Sequence, residues 1–392
     1  MGAPPQRRDV SPRSGLEHGG ALRLLQVALD ISTWCALSSE NVFGMTSARP
    51  TIKELARLSG VSVGTVSRAL NGYTDVSAET RERVVRLARE LDYTPAAAAR
   101  TLVTERSHVI GLFLDTGEGH PDVQHPFFHE VLAGLKDMLG AAGFDLLLFA
   151  SEQPGNGYGP HSYLKRARHH HVDGVVLMGT DASDPEVERL LRSEVACVGV
   201  DMSIGGANNR SVMSDNVAGG ALAVRHLAEL GHTRIATITG LIETAPARDR
   251  LRGYREEIQR LGLAYRDDYV AYGDYYVDSG SAGMEALLAL EEPPTAVFAA
   301  SDLMAAGALG AIGRAQLRVP DDVAVVGFDD IGFAALTEPP LTTMRQDKPG
   351  LGAAAGEVLV SLIGDEPDPQ AAVTLPVELV VRGSTAGHGE QP

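Results

Sequence analysis

At 392 residues and 44% hydrophobic content, the chain is long enough for two or more packed domains, and it has no apolar run that could span a membrane. Its 34 Lys and Arg stand against 51 Asp and Glu, a net charge of −17, so any polyanion must be met by a local basic region. The two cysteines, Cys35 and Cys197, form neither a C-x-x-C pair nor a disulfide framework, which suits a reducing cytoplasm.

Residues 1–48 stand apart from the rest of the chain. They hold the only tryptophan, Trp34, and a marginal helical stretch at 21–29. Arg23, Gln26 and Asp30 interrupt its apolar character and no A-x-A site comes after it, so a secretory signal is rejected. The run MTSARPTIKEL is read as the natural beginning, with Met45 as its start and residues 1–44 upstream of it, and residues 1–48 are taken as an extension before the first domain, disordered or upstream of that start.

Residues 51–71, TIKELARLSGVSVGTVSRALN, spell two short helices joined by a glycine turn. Thr51 and Glu54 form a T-x-x-E capping box, in which Thr51 accepts from a backbone N–H and Glu54 reaches back. Ile52, Leu55, Ala56 and Leu58 are read as one apolar face, and Gly60 ends the helix in the left-handed region. Ser62 caps a second helix, 63–70, with Val66, Ala69 and Leu70 inward and Thr65, Ser67 and Arg68 outward. Asn71 and Gly72 stop it. Hydroxyls for phosphate oxygens and a guanidinium that bonds guanine O6 and N7 are the chemistry of a recognition helix. A third helix, 77–91, carries Val84, Leu87, Ala88 and Leu91 to close a three-helix core, and Arg81, Arg83, Arg86 and Arg89 decorate it. Thr94 and Pro95 announce a short fourth helix, 95–103.

VSVGTVSRALNG, VSAETRERV and LDYTP with AR-x-L resemble the DNA-binding head and hinge helix of the LacI/GalR family of bacterial transcription regulators, without a gap over residues 51–102. The resemblance implies that Leu102 is the apolar wedge that kinks a base step in the operator's minor groove. It implies that Thr51, Ser62, Thr65, Ser67, Asn71 and Ser77 hold phosphates, while Val63, Gly64 and Arg68 face bases. Two positions depart from the family pattern. Ala96 stands where Asn often comes after the hinge proline, and Gly64 has no side chain with which to read a base.

Charge divides by region. Residues 49–106 hold ten Lys and Arg against seven Asp and Glu, a net of +3, residues 1–48 hold four of each, and the remainder carries −20. Only the head is suited to approach DNA.

From His108 onward apolar runs alternate with helical stretches. HVIGLFL, DLLLFA, VDGVVLM and VACVGV read as buried parallel strands, separated by helices near 128–142, 163–169 and 185–193. The pattern repeats with a helix at 216–230, strands RIATITG, TAVFAA and DVAVVGF, and helices near 249–261, 281–290 and 302–313. The fold expected is therefore an all-α helix-turn-helix head plus two doubly wound parallel-sheet α/β lobes. The lobe boundary is expected near 201–216, with a return near 334–345. This part resembles the periplasmic-binding-protein-like core of the same family. The expected domains are a head at 49–93, a hinge helix and linker at 94–106, an effector-binding and dimerisation body at 107–386 and a disordered tail at 387–392.

A ligand between such lobes sits beyond the carboxyl ends of the strands. Position selects Phe127 and Phe128 in HPFF, Asp201 after the fourth strand, Arg250, Tyr275 in GDYY, Ser301 and Asp302 after a strand, and Asp329 in VVGFDD. Asp302 is read as a helix cap and Phe128 as core. Carboxylates, a guanidinium, a hydroxyl and aromatic faces are what a sugar ring needs. By resemblance Arg250, Tyr275, Ser301 and Asp329 match the family's effector positions, with Phe127 on the opposite wall. His169–His171 are read as a solvated helix end rather than a metal site. No G-x-G-x-x-G, G-x-S-x-G or acid and base pair stands out, so neither a cofactor nor an enzyme is expected.

A DNA-binding repressor switched by a small sugar-like effector accounts for head, hinge and body together, whereas a solute-binding or sensor protein with little DNA binding accounts only for the body. The expected partners are a roughly palindromic double-stranded operator, the effector and a second copy of the chain as a cytoplasmic homodimer, with no membrane. The tail GSTAGHGEQP has no heptads, so no tetramerisation coil is expected.

Overall fold

The computed structural model describes residues 50–70, 72–93, 106–114, 125–150, 162–180, 182–364 and 372–385, and the chain divides into two units, residues 1–99 and 100–392. The expectations for residues 1–48, Asn71, the 95–103 hinge helix with Ala96 and Leu102, and the 387–392 tail lie outside the described residues.

In the first unit, α1 (Ile52–Ser59) starts where the Thr51 hydroxyl accepts from the Glu54 N–H at 3.2 Å. It ends at Gly60, whose φ of 70° turns its N–H onto the Ala56 carbonyl. Only half of the expected capping box forms, because the Glu54 carboxylate is held instead by Arg57 at 2.8 Å. Ser62 caps α2 (Val63–Leu70) by accepting from Thr65 N–H at 3.1 Å. Ser77 does the same for α3 (Ala78–Glu90), so Ser77 precedes the helix rather than opening it. Leu55, Val66 and Val84 are fully buried between the three helices. Leu58, expected on the apolar face, is 42% exposed, and Ser59 takes that place with its hydroxyl donated to the Leu55 carbonyl at 2.6 Å. Residues 52, 55, 56 and 59 keep to the 3.6-residue period, and Leu58 falls off the stripe.

The second unit contains two six-stranded sheets. β1 (Val109–Leu114), β2 (Asp145–Phe149), β3 (Gly174–Met178), β4 (Ala196–Val200), β5 (Asn209–Ser214) and β11 (Ala372–Leu375) pair in parallel in the order β11-β5-β4-β3-β1-β2. β6 (Ile235–Thr239), β7 (Val270–Tyr272), β8 (Ala296–Ala299), β9 (Ala324–Asp329), β10 (Thr342–Gln346) and β12 (Val377–Val380) repeat that topology as β12-β10-β9-β8-β6-β7, with β12 alone antiparallel. Helices α4 (Pro126–Ala141), α5 (Tyr163–His169), α6 (Pro185–Leu191) and α11 (Lys348–Ile363) clothe the first sheet. The second is clothed by α7 (Asn216–Glu229), α8 (Ala245–Arg260), α9 (Val277–Leu288) and α10 (Asp302–Arg314). Strand alternation sends Ile110 and Leu112 towards Val131, Leu135 and Leu359, and sends Phe113 to the other face with Tyr163, Val187 and Leu190.

Among the described residues the chain crosses between lobes three times. The first crossing falls at Asp215, inside the expected interval. The return expected at 334–345 comes later, at Asp347, because Thr342–Gln346 still pairs with β9. A third crossing at Pro376 separates β11 from β12. Two crossings are tied together by the Asp215 N–H, which donates to the Leu375 carbonyl at 2.8 Å. α8 and α9 begin a turn earlier than expected, at Ala245 and Val277. For α8 the cause is Thr244, whose hydroxyl accepts from Ala247 N–H.

Three helix pairs meet through glycines. A Cβ at Gly352 of α11 would lie 1.9 Å from the Val131 carbonyl oxygen of α4, and one at Gly134 would lie 2.0 Å from that of Pro349. Gly220 and Gly253 make the same contact between α7 and α8, as do Gly280 and Gly307 between α9 and α10. These helices touch backbone to backbone, so a methyl group at the contact forces them apart. Gly352→Ala is expected to lose about 2 kcal/mol or more. Gly140→Ala, in α4 with open space around it, is expected to gain about 0.5–1 kcal/mol. Chemical denaturation of the full chain measures both, and equal effects would contradict the backbone contact.

Candidate functional site

Two surfaces gather the residues singled out in the sequence. On the head, α2 exposes Val63, Gly64 and Arg68, while Thr65 and Ser67 are half-buried. Thr51, Ser62 and Ser77 are exposed beside the helix N-termini that their hydroxyls cap, where the helix dipole favours an anion. The Arg68 guanidinium lies 2.9 Å from the Asp75 carboxylate.

Within the second unit, a cavity of about 310 Å³ opens between the lobes at the carboxyl ends of their strands. The first lobe supplies His125, Phe127, Phe128, Thr180, Asp201 and Met202. Arg248, Arg250, Tyr275, Asp329 and Gln346 come from the second lobe. Five of the six expected effector residues, Phe127, Asp201, Arg250, Tyr275 and Asp329, thus meet on one cavity. Ser301 does not line it. Its hydroxyl is fully buried, accepting from Met304 N–H at 3.2 Å as the cap of α10 and donating to the Tyr275 carbonyl at 3.1 Å. Asp302 therefore is not the cap. Its carboxylate accepts from Ile331 N–H and the Thr343 hydroxyl in the interior, where burial pushes it well above the usual carboxylate range. Phe128, read as core, is 6% exposed and also reaches the cavity wall.

Arg250 is the buried cation of the cavity, and Arg248 on the same wall is exposed. Its Nε donates to Asn216 Oδ1 at 2.7 Å and its Nη1 to the Ala300 carbonyl at 2.6 Å, and the guanidinium stacks 3.7 Å from the Phe328 ring. Asp329 Oδ1 lies 3.8 Å from Nη1 and accepts from Gln346 Nε2 at 2.7 Å. Burial pushes both Asp329 and Asp201 up to about 6, against the pull of Arg250. Burial likewise raises Tyr275 to about 12. The Thr244 hydroxyl donates to the Leu241 carbonyl, so the Tyr275 hydroxyl, 2.8 Å from it, is the donor of that pair.

The backbone is strained where these groups sit. Asp201, Tyr275 and Asp329 have φ of 52°, 75° and 112°, a region that side chains other than glycine rarely occupy and that costs about 1–3 kcal/mol each. Tyr275 also packs flat against Gly240, where a Cβ would fall 2.2 Å from the ring. Among the described residues, two buried acceptors of the cavity, Asp201 Oδ1 and Gln346 Oε1, have no hydrogen-bond partner. Beside the cavity wall, the His125 and Tyr276 rings meet edge to face at 5.8 Å and join the lobes.

Sequence reasoning missed Gln346, Thr180, His125 and Arg248. Gln346 was legible only with TTMRQ recognised as a strand, since its last residue then falls at the cleft. Among the described residues no group of His, Cys, Asp and Glu is arranged to hold a metal, and no helix is long and apolar enough to cross a membrane.

Comparison with known proteins finds relatives for both parts of the chain. Residues 51–96 match the model of bacterial regulatory proteins of the lacI family, and residues 224–385 match that of a periplasmic binding protein-like domain. The HTH-type transcriptional regulator CelR of Thermobifida fusca is 38% identical over 86% of this chain and 98% of its own length. A solved complex of the transcriptional regulator CelR with cellobiose is 36% identical, covers 86% of this chain and 100% of its own, and superposes with a TM-score of 0.65. The lac repressor dimer bound to operator and the anti-inducer ONPF is 29% identical, covers 86% and 98%, and has a TM-score of 0.72.

Removing Arg250 leaves buried Asp329 with Lys348 as its one nearby cation among the described residues. Arg250→Met is therefore expected to cost about 3 kcal/mol. Adding Asp329→Asn should return at least about 1 kcal/mol of that loss in a double-mutant cycle. Additive losses in urea denaturation would show that the two groups do not depend on each other.

Proposed function

The chain belongs to the lacI family of bacterial regulatory proteins and is a DNA-binding transcriptional regulator, and we propose that it represses genes of carbohydrate uptake or catabolism under the control of a sugar-like effector bound between its lobes. The observation that carries the effector reading is the pair of unpartnered buried acceptors, Asp201 Oδ1 and Gln346 Oε1, in a cavity that also holds a guanidinium and phenylalanine rings. A buried acceptor without a donor is costly, and a ligand rich in hydroxyl groups supplies the donors. Phe127 then covers the apolar C–H face of the ring, while Arg250, Tyr275 and Asp329 take its oxygens. The CelR complex with cellobiose supports a sugar in a cleft of this kind.

The operator is roughly palindromic and is read by a cytoplasmic homodimer; the lac repressor dimer bound to operator supports a dimer on DNA. Arg68 bonds a guanine edge, Val63 and Gly64 lie against bases, and the hydroxyls of Thr51, Ser62, Thr65, Ser67 and Ser77, with Asn71, take phosphates. Leu102 wedges the minor groove between paired hinge helices. The domain limits are those given by the sequence, 49–93, 94–106 and 107–386, and the protein performs no chemistry on its effector.

Selection of random duplex DNA by the full chain, repeated with a panel of small sugars, is expected to enrich a palindrome that one sugar suppresses. Enrichment indifferent to every sugar would rule out a sugar effector. Arg68→Ala should cost about 1–3 kcal/mol on that palindrome and relax one base pair per half-site. Equal losses on random DNA would refute base reading.

The cavity carboxylates give the effector a pH dependence. Ligand hydroxyls donate to the ionised forms, so binding favours ionised Asp201 and Asp329. Affinity should be full above neutrality and fall as pH drops through about 6, the value to which burial raises both groups. Calorimetry at pH 5 against pH 7.5 should read a loss of about tenfold for each carboxylate that receives the ligand, about a hundredfold if both do. A constant affinity would show that these carboxylates do not receive the ligand.

A further inference from the structure

Arg68 is not free to search for a base. Its Nη1 donates to Asp75 Oδ2 at 2.9 Å and its Nε donates to the Gly64 carbonyl at 3.3 Å, one helical turn back. The other N–H groups of the guanidinium remain for a two-pronged contact. Asp75 lies outside α2, ahead of α3, and the residues on either side of it are hydrogen-bonded to both helices. Tyr73 N–H donates to the Arg68 carbonyl at 3.1 Å, and the Arg81 guanidinium of α3 donates to the carbonyls of both Tyr73 and Val76. Val76 is buried in the head core, and Ser77 caps α3. Asp75 is thus held between two fixed neighbours.

The pair does little for folding. Arg68 and Asp75 side chains are 49% and 53% exposed, and ion pairs with that exposure add little stability. A carboxylate on a face that meets phosphates is repelled by them, so Asp75 lowers affinity for any DNA. What it supplies is orientation, because an arginine that enters the groove already fixed loses less rotamer freedom on binding.

We propose that Asp75 is the positioning residue for base reading by this head: it aims Arg68 at one guanine and, by neutralising its charge, suppresses the pull of Arg68 towards phosphates of any sequence. This deepens, and rests on, the reading of Arg68 as a base contact.

The test is selection of random duplex DNA by the full chain, then affinities for the selected site and its single-base variants, with folding of each variant checked by circular dichroism. Arg68→Ala locates the base pair that Arg68 reads. Asp75→Ala should reduce the preference at that same pair measurably, by up to about fivefold, leave the other positions unchanged and raise affinity for random duplex. Asp75→Glu should restore part of the preference, and in Arg68→Ala the further change Asp75→Ala should alter nothing at that pair. If Arg68→Ala flattens a position that Asp75→Ala leaves intact, base reading stands and the positioning role of Asp75 falls. If Asp75→Ala changes all positions equally, Asp75 acts only through general repulsion and the proposal is overturned. If Arg68→Ala flattens no position, the base contact fails and the role of Asp75 fails with it.

Discussion

Arg250 carries a full positive charge into the interior of the second lobe, and the elements around it are shaped to hold that charge. Asn216 at the start of α7, the Ala300 carbonyl after β8, and Phe328 and Asp329 at the end of β9 all converge on one guanidinium. Its own carbonyl is where α8 touches Gly220 of α7, so the close helix contact and the placement of the cation are one arrangement. A buried guanidinium is tolerable only when its donors are met. Two of them are met by fixed protein oxygens at 2.6–2.7 Å, while the nearest carboxylate stays at 3.8 Å. Nη1 is thus pinned without being locked into a tight ion pair, and Asp329 remains available to a ligand.

The same logic extends across the cleft. Asp201 and Asp329 stand at matching ends of strands β4 and β9 in two sheets of the same topology, each on a left-handed backbone. Strain of this kind persists where the surroundings impose it. For Asp329 the surroundings are Gln346 on its carboxylate and Lys348 Nζ, which donates to its carbonyl at 2.6 Å from the first turn of α11. Lys348 belongs to a helix of the first lobe, so the second lobe's floor is gripped from across the crossing at Asp347. Three crossings and this grip together hold the two lobes at the cleft.

What the sequence revealed depended on how local the signal was. The head was legible almost to the residue, because Thr51, Gly60, Ser62 and Ser77 act on neighbours within a few positions. Leu58 misled because it is apolar and close to the stripe, while Ser59 hid its burial by bonding to its own helix. In the lobes the strands rich in Val, Ile and Leu stood out. β5, β7, β10, β11 and β12 did not, since NRSVMS, VAY, TTMRQ, AVTL and VELV are short or polar and are recognisable only from their neighbours in the sheet. Missing β10 hid Gln346 and set the return crossing too early. Ser301 was misassigned for a related reason: a residue after a strand faces either the cleft or the next helix, and here the orphan N–H of Met304 claimed it.

Control of the DNA-binding head by the cleft requires that the two share one equilibrium. The affinity of the effector for the free protein and for the operator-bound protein, beside the operator affinity with and without effector, measures that sharing directly. The two ratios should agree and differ from one by about fivefold or more. Equal effector affinities for free and operator-bound protein would contradict the coupling and leave the cleft and the head as unconnected sites on one chain.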